Sequence, residues 1–207
     1  MTTAKLQIVG HGIEVARYTY RPAPFSKLKL VTVGRISEVK RIKEMLDVCD
    51  QLARRDVPFE FSIYGTAITP ADKLYLEGLM REFTIRSYGN SVQLHGPVAH
   101  SEVPAILSQA NVFLNLSRTG SMDKAILEAM AAGVLPVTTN EAFARIVPEV
   151  CFVSDYTPAE VADRLARIYA GSEVYRAQLR AEMQEEAQKH SLTALISTLI
   201  RRLEKVS

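Results

Sequence analysis

Short β-branched runs alternate with helical patterns along most of the 207 residues, and this alternation constrains the chain more than any other feature. Leu28-Lys29-Leu30-Val31-Thr32-Val33 stops at Gly34 and reads as a strand with a turn. Ser37 is placed to cap the helix that follows, where Ile42, Met45, Leu46, Cys49 and Ala53 recur at helical spacing. Phe59-Glu60-Phe61-Ser62-Ile63-Tyr64 is a second strand, stopped by Gly65. Thr69-Pro70 opens a helix with proline in its first turn; Leu76, Leu79, Met80 and Phe83 form its apolar stripe. Val92-Gln93-Leu94 is a third strand, and Ser101 is placed to cap a helix through Leu107. Asn111-Val112-Phe113-Leu114-Asn115-Leu116 is a fourth, followed by a helix from Ala125 to Ala132 that Gly133 closes. Val134-Leu135-Pro136-Val137-Thr138 is a fifth and Cys151-Phe152-Val153 a sixth.

Strands separated by helices imply βαβ crossovers, which make neighbouring strands parallel and place helices on both faces. The expected fold is α/β: a Rossmann-like open, mostly parallel sheet of about six strands with a helical C-terminus. Within that terminus Val161, Leu165, Ile168 and Tyr169 share one stripe. Leu192, Leu195, Ile196, Leu199, Ile200 and Leu203 share another, which is expected to dock onto the core. The first 27 residues break the alternation. Leu6-Gln7-Ile8-Val9 reads as a strand, His11-Gly12-Ile13 as a turn and Arg21-Pro22-Ala23-Pro24 as an extended connector. A linker and an N-terminal edge strand both fit this pattern.

Composition removes whole classes. With 47% apolar and 23% charged residues the chain matches an ordinary globular protein. Its 25 Lys and Arg nearly balance 23 Asp and Glu, so net +2 is no nucleic-acid footprint. Cys49 and Cys151 form no disulfide framework and suit a reducing compartment. No run is long and apolar enough for a spanning helix, and Met1-Thr2-Thr3-Ala4-Lys5 lacks the layout of a signal peptide.

Open parallel sheets bind ligands at the C-terminal ends of their strands, so chemistry is sought there. After the first strand comes Gly34-Arg35-Ile36-Ser37-Glu38-Val39-Lys40. Arg35 in the turn and Lys40 about one helical turn further can converge on a diphosphate, one as a forked donor, the other as a point charge. Arg41 and Lys43 read as charges on a solvated helix face. After the fourth strand comes Ser117-Arg118-Thr119-Gly120-Ser121-Met122-Asp123-Lys124, then a helix start whose free N–H groups and dipole suit an anion. Glu128 lies in an otherwise apolar helix. Three readings fit it: a surface position, a pair with Lys124 at i−4, or a bidentate bond to vicinal ribose hydroxyls. Asp123 is also a good N-cap. The four histidines, His11, His95, His100 and His190, are scattered and read as structural.

These stretches resemble the C-terminal nucleotide-binding domain of a GT-B glycosyltransferase of family 4, the glycosyl transferases group 1. Val31-Thr32-Val33-Gly34-Arg35-Ile36-Ser37-Glu38-Val39-Lys40 resembles the family's Gly-Arg…Lys segment. Val92-Gln93-Leu94-His95-Gly96-Pro97-Val98 resembles its segment before a helix. Leu127-Glu128-Ala129-Met130-Ala131-Ala132-Gly133-Val134-Leu135-Pro136-Val137 resembles its "L-E-A-M-A-x-G-x-P-V" signature, with one extra residue around Leu135. Gln7-Ile8-Val9-Gly10-His11-Gly12-Ile13-Glu14 resembles the interdomain linker, with Glu14 where Asp is usual.

The resemblance implies transfer of a sugar from a nucleoside-diphosphate sugar to an acceptor hydroxyl, with retained configuration, in glycan or glycolipid biosynthesis. Arg35 and Lys40, the expected catalytic pair, would hold the diphosphate and stabilise the departing charge, with Gly34 beside them. Glu128 would bind the ribose, and backbone around Gly96 and Val98 would face the base. Gly120, Ser121, Met122, Asp123 and Lys124 would face the donor phosphates and sugar. No cofactor and no protein-held metal are expected. Two departures stand out: Gly120 replaces a Glu that usually contacts the donor sugar, and Asp123 replaces a glycine.

Residues 1–27 are expected to be an interdomain linker or edge segment, and 28–207 the nucleotide-sugar-binding domain. The N-terminal acceptor domain is the partner this leaves out, so the chain alone is expected to bind nucleotide weakly and not to transfer sugar. The expected location is cytoplasmic, with attachment to the inner membrane face through that other half as an option. Two rivals stay open. A dehydrogenase on a similar sheet is disfavoured, because the first turn lacks the needed glycines and Tyr64-Gly65-Thr66 lacks the acidic residue. A non-catalytic nucleotide-binding or interaction module is favoured by Gly120, with the 192–203 stripe as its interface.

Overall fold

The computed structural model describes residues 10–19, 25–86, 88 and 90–204. A five-stranded sheet lies at its centre: β1 (Leu28–Val33), β2 (Phe59–Tyr64), β3 (Val92–Gly96), β4 (Val112–Asn115) and β5 (Leu135–Thr138). Every neighbouring pair is parallel, in the order β3-β2-β1-β4-β5. The expected sixth strand is not one. Cys151-Phe152-Val153 contributes a single parallel bridge from Phe152 to Thr138, and the Val153 N–H donates to the Thr138 carbonyl at 2.9 Å. A 3₁₀ turn over Glu149–Cys151 runs into that bridge, so too little extended backbone remains for a ladder.

Right-handed crossovers put α1 (Ile42–Arg54) and α2 (Pro70–Arg86) on one face, with α3 (Val103–Leu107) and α4 (Lys124–Ala131) on the other. Then α5 (Pro158–Ala170) returns to pack on α1, and α6 (Glu173–Lys189) packs on α4. Covered on both faces, β4 and β5 are buried at every position, which explains their unbroken apolar runs. In α1 the buried stripe is Ile42, Met45, Leu46, Val48, Cys49 and Leu52. The Thr69 hydroxyl accepts from the Asp72 N–H while the Asp72 carboxylate accepts from the Thr69 N–H, a reciprocal cap that starts α2 at Pro70.

Four local expectations are corrected. Ser37 makes no cap; α1 starts after a 3₁₀ turn over Glu38–Lys40 and a left-handed Arg41. Ser101 makes none either, because Glu102 bonds back to the Ala99 N–H and α3 is a single short piece. Met80 is exposed, and only Leu79 of the proposed α2 stripe is fully buried. Finally α7 (Leu192–Glu204) does not dock: none of its residues is buried, and Ile196, Ile200 and Leu203 are 47%, 52% and 68% exposed. Its first turn is tied to the segment before the sheet by the Leu192 N–H bond to the Ile13 carbonyl.

That bond comes from the segment before the sheet. Ile13 pairs with Ser191, a 3₁₀ turn follows over Val15–Arg17, and Ile13 and Tyr18 are both buried. The readings of Leu6-Gln7-Ile8-Val9 as a strand and Arg21-Pro22-Ala23-Pro24 as a connector lie outside the described residues. Among the described residues no helix is long and apolar enough to cross a membrane.

Candidate functional site

In the order β3-β2-β1-β4-β5 the chain reverses direction across the sheet between β1 and β4, so the switch-point crevice opens at the C-terminal ends of those strands. The loops singled out from sequence leave from there. Where β1 and β2 end, their glycines meet. A Cβ on Gly65 would fall 1.8 Å from the Gly34 carbonyl oxygen, so only glycine allows this approach. The Gly34 N–H bonds to Tyr64 and the Gly65 N–H to Gly96, which fixes three strand ends in register.

Lys40 stands at the end of the 3₁₀ turn rather than inside a helix. Left-handed Arg41 (φ 55°) follows it and redirects the chain into α1. The Lys40 ammonium thus reaches Asp123 at the start of α4, Nζ to Oδ2 2.6 Å, although the two are 83 residues apart. Asp123 also caps α4 by accepting from the Ala125 N–H, and takes a bond from Asn115 Nδ2 at 3.1 Å. Burial would raise the Asp123 pKa. The Lys40 bond and charge, with the Ala125 N–H and Asn115, outweigh it and hold the carboxyl below the usual range. An internal carboxylate therefore occupies the helix-terminal anion seat.

Arg35 is nearly half exposed and lies 3.9 Å from Asp72, a carboxylate already engaged by the Thr69 N–H. Its guanidinium is held by one long contact. Gly34, Arg35, Lys40 and Asn115 line one small hollow. Gly34 and Arg35 also line a second, of about 190 Å³, with Tyr64, Gly65, Ile68 and Val98. There the Tyr64 ring stacks on His95, centroids 4.5 Å apart. Gly96 ends β3 at the rim of this region, its φ of +79° turning the chain toward Pro97 and Val98.

Glu128 is 8% exposed, so the surface reading fails. Its partner is His100 rather than Lys124: His100 Nε2 lies 3.0 Å from Glu128 Oε1. Arg17 reaches the other ring nitrogen, Nη1 to Nδ1 3.1 Å. A guanidinium only donates, so Nδ1 accepts and Nε2 carries the proton that bonds to Glu128. Glu128, Lys124, His100, Arg17 and Tyr18 line a hollow of about 320 Å³. The Tyr18 hydroxyl is sealed from solvent and lies against the Glu128 carboxylate. Burial and the Glu128 charge push its pKa far up, so it keeps its proton.

The sequence candidates thus fall into two groups. Gly34, Arg35, Lys40 and Asp123 adjoin, with Gly96 and Val98 on the far side of Arg35. Lys124 and Glu128 open into the other hollow, and among the described residues none of these three hollows holds Arg35, Lys40 and Glu128 together; Asp123 and Lys124, neighbours at the start of α4, join the two groups. Gly120 and Ser121 are exposed, and the Ser121 carbonyl accepts from Asn140 Nδ2, while Met122 packs on the core. Arg41 is corrected: it is largely covered, its guanidinium 4.2 Å over the Tyr156 ring and bonded to Glu44. Lys43 is half exposed and pairs with Glu82.

Sequence reasoning missed Tyr18, His100, Tyr64 and Asn115. His100 follows Val98 by two residues in a strand-end loop, and Asn115 is the polar residue ending an apolar strand, so both carried a signal. Tyr18 carried none, because its segment has no periodicity.

Both the sequence and the fold have known relatives. The family model described as Glycosyl transferases group 1 matches residues 27–171, well over half of the chain. WcaL of Escherichia coli (strain K12), named for colanic acid biosynthesis, is 31% identical over 143 residues, 65% of this chain and 34% of that protein. The GDP-mannose:cellobiosyl-diphosphopolyprenol alpha-mannosyltransferase of Xanthomonas oryzae pv. oryzae is 24% identical over 94% of this chain and 49% of its own. The chain thus spans about a third to a half of these relatives. Among solved structures, Anabaena HepE in complex with UDP and glucose superposes with a TM-score of 0.78 at 16% identity, covering 93% of this chain and 55% of that one. The catalytic domain of the Helicobacter pylori cholesterol-alpha-glucosyltransferase superposes at 0.64 and 17% identity, covering 80% of this chain and all of that one. Likeness at such identities speaks for the GT-B fold. With motifs, fold and family match in agreement, the chain belongs to the glycosyl transferases group 1 family.

Proposed function

We propose that this chain is the donor-binding domain of a retaining family 4 glycosyltransferase, which moves a sugar, of hexose type, from a nucleoside-diphosphate sugar to an acceptor hydroxyl in glycan or glycolipid synthesis. The observation that carries this is the meeting of Lys40 with the start of α4, above a helix that buries Glu128. The donor diphosphate takes Lys40 and the helix N-terminus in place of the Asp123 carboxylate, and Arg35 swings from Asp72 to the same anion. As the sugar–oxygen bond breaks, negative charge grows on the leaving phosphate oxygen, where both cations donate to it. Glu128 accepts from the ribose hydroxyls, and the hollow beside Val98 takes the base. Gly120, Ser121, Met122 and Lys124 face the donor phosphates and sugar. No protein-held metal or cofactor takes part.

On this reading the acceptor site lies on a second domain, which the chain needs for transfer. Residues 1–27 link the two domains, and 28–207 form the donor domain. The placement is cytoplasmic, where nucleotide sugars are made and thiols such as the unpaired Cys49 and Cys151 stay reduced, with the inner membrane face reached through the other domain. A non-catalytic module is the second reading, favoured by Asp123 lying in the anion seat and by the exposed stripe of α7.

Calorimetry with UDP, GDP, ADP and a nicotinamide dinucleotide, with and without chelator, tests the reading. One nucleoside diphosphate binds, chelator changes nothing, and Arg35→Ala and Glu128→Ala each weaken it. Binding of the dinucleotide alone would replace the reading with an oxidoreductase. If the chain joined to an acceptor domain binds donor yet transfers no sugar, the second reading stands.

A further inference from the structure

The loop between β4 and α4, which on the reading above faces the donor phosphates, is held from the turn after β5. We propose that Asn140 in that turn is a positioning residue: its side chain fixes the Ser121–Met122 peptide so that the Met122 N–H donates to the β-phosphate of a nucleoside diphosphate. This rests on the nucleotide-binding reading and adds to it a residue that touches no ligand itself.

Three observations support it. First, Asn115 pins both ends of the loop. Its Oδ1 accepts from the Ser117 N–H at 3.1 Å and the Ser117 hydroxyl at 2.7 Å, and its Nδ2 donates to Asp123 at 3.1 Å. Between those ends, among the described residues, Asn140 supplies the hydrogen bond that ties 118–122 to another element, Nδ2 donating to the Ser121 carbonyl at 2.9 Å. Second, Asn140 is itself locked. It is fully buried, its N–H donates to Thr138 Oγ1 at 3.0 Å, and its Oδ1 accepts from the Ala142 N–H at 3.1 Å. A carbonyl on one side and an N–H on the other fix which way the amide faces. Capping the turn needs only the oxygen, which serine or aspartate supplies as well; the Nδ2 group goes to the loop. Third, the C=O and N–H of a trans peptide point in opposite directions. A Ser121 carbonyl held toward Asn140 therefore turns the Met122 N–H away from it, and that N–H has no acceptor among the described residues. Gly120 and Ser121 are exposed, so packing there does not hold the peptide plane in place of the hydrogen bond.

The chemistry selects a phosphate oxygen. The Met122 N–H comes just before the start of α4, where free N–H groups and the helix dipole favour an anion, and Lys40 reaches the same place. On the reading above the base and ribose lie at Val98 and Glu128, so the clamp acts on the end of the ligand that a monophosphate lacks. The other task of Asn140, capping the 3₁₀ turn over Glu141–Phe143, bears on stability and not on that end.

The test is amide hydrogen exchange and calorimetry on the 1–207 chain, with UDP, GDP and ADP set against UMP, GMP and AMP. In wild type the tightest-binding diphosphate is expected to slow exchange of the Met122 amide about tenfold, and its monophosphate is not. Asn140→Asp keeps the shape and the cap but has no N–H to give, and Asn140→Ser keeps a capping oxygen without adding charge. Each is expected to weaken diphosphate binding about fivefold with monophosphate affinity unchanged, so the preference for the second phosphate falls by that factor. Asn140→Ala loses the cap as well, so its melting temperature falls below that of Asn140→Ser while its preference matches. A preference as large in Asn140→Asp and Asn140→Ser as in wild type, or a wild-type Met122 amide that exchanges as fast with the diphosphate as without it, overturns the assignment and leaves the donor site standing. No binding of any nucleoside diphosphate overturns the donor site and this assignment together.

Discussion

Two clusters of charge lie at opposite ends of the sheet and behave differently. At the N-terminal ends of β2 and β3, Arg86 bonds Asp47 at 2.6 Å, Asp50 at 2.7 Å and Glu82 at 2.9 Å, with the Tyr88 hydroxyl alongside. Four bonds hold that guanidinium at the edge of a 570 Å³ hollow. At the C-terminal ends, Lys40 has Asp123, and Arg35 has one long contact to Asp72. A cation enclosed by several protein partners is part of the framework. A cation held by one carboxylate beside a helix N-terminus can exchange that carboxylate for a ligand. Cavity size alone points to the first end; partner count points to the end that open α/β sheets use.

The largest expected effect separates the clusters. Arg86→Ala strands Asp47 and Asp50 together and should cost about 2–4 kcal/mol of stability, a fall of roughly 5–12 °C in melting temperature, with nucleotide affinity unchanged. A loss of affinity matching the loss of stability would erase the distinction. Arg35→Ala should do the reverse, weakening diphosphate binding about tenfold or more in a titration while the melting temperature moves little; Lys40→Ala should weaken binding as much and also lower the melting temperature, because it leaves the mostly buried Asp123 carboxylate without its cation.

Asp123→Asn sharpens the comparison further. Asparagine keeps the α4 cap but frees Lys40, so diphosphate affinity should rise about three- to tenfold. The same variant carries a pH signature. The Asp123 carboxyl is held below its ordinary value, so between the two values the unfolded chain binds more protons than the folded one. The stability it contributes is full above about pH 4 and is lost as pH falls through the lower folded value. Acid unfolding of Asp123→Asn should lack that portion.

The smallest effect concerns Cys49, which lies fully buried beneath the Arg86 cluster. Burial first, then the Asp50 charge, pushes its thiol far up. Cys151 is pushed up to about 12, chiefly by burial. Neither should react with a thiol reagent at pH 8, and Arg86→Ala should expose Cys49 alone to slow labelling. Equal labelling of both would mean global opening rather than loss of one cluster.

Much of the fold was legible in local pattern. The strands at Leu28, Phe59, Val92, Val112 and Leu135 were marked by β-branched runs and by Gly34, Gly65 and Gly133, because buried parallel strands need continuous apolar sequence and their turns need glycine. The errors came where local pattern was silent about partners. Cys151-Phe152-Val153 has a strand's composition but no length to pair, and α7 has a core helix's stripe yet none of its residues is buried. The location of Arg35 and Lys40 was readable from strand ends, whereas Arg41 was misread, since nothing local announces a left-handed turn beneath a tyrosine ring.

By itself the sequence determined that this is a parallel α/β sheet with basic and helix-terminal loops at its ligand-binding end, because periodicity and turn residues act over a few neighbours. Tertiary structure alone decided who meets whom: Lys40 with Asp123 across 83 positions, His100 with Glu128, and Tyr18 beside them from a segment with no pattern of its own. Such meetings depend on strand order and on how a loop leaves the sheet, and no run of adjacent residues encodes either.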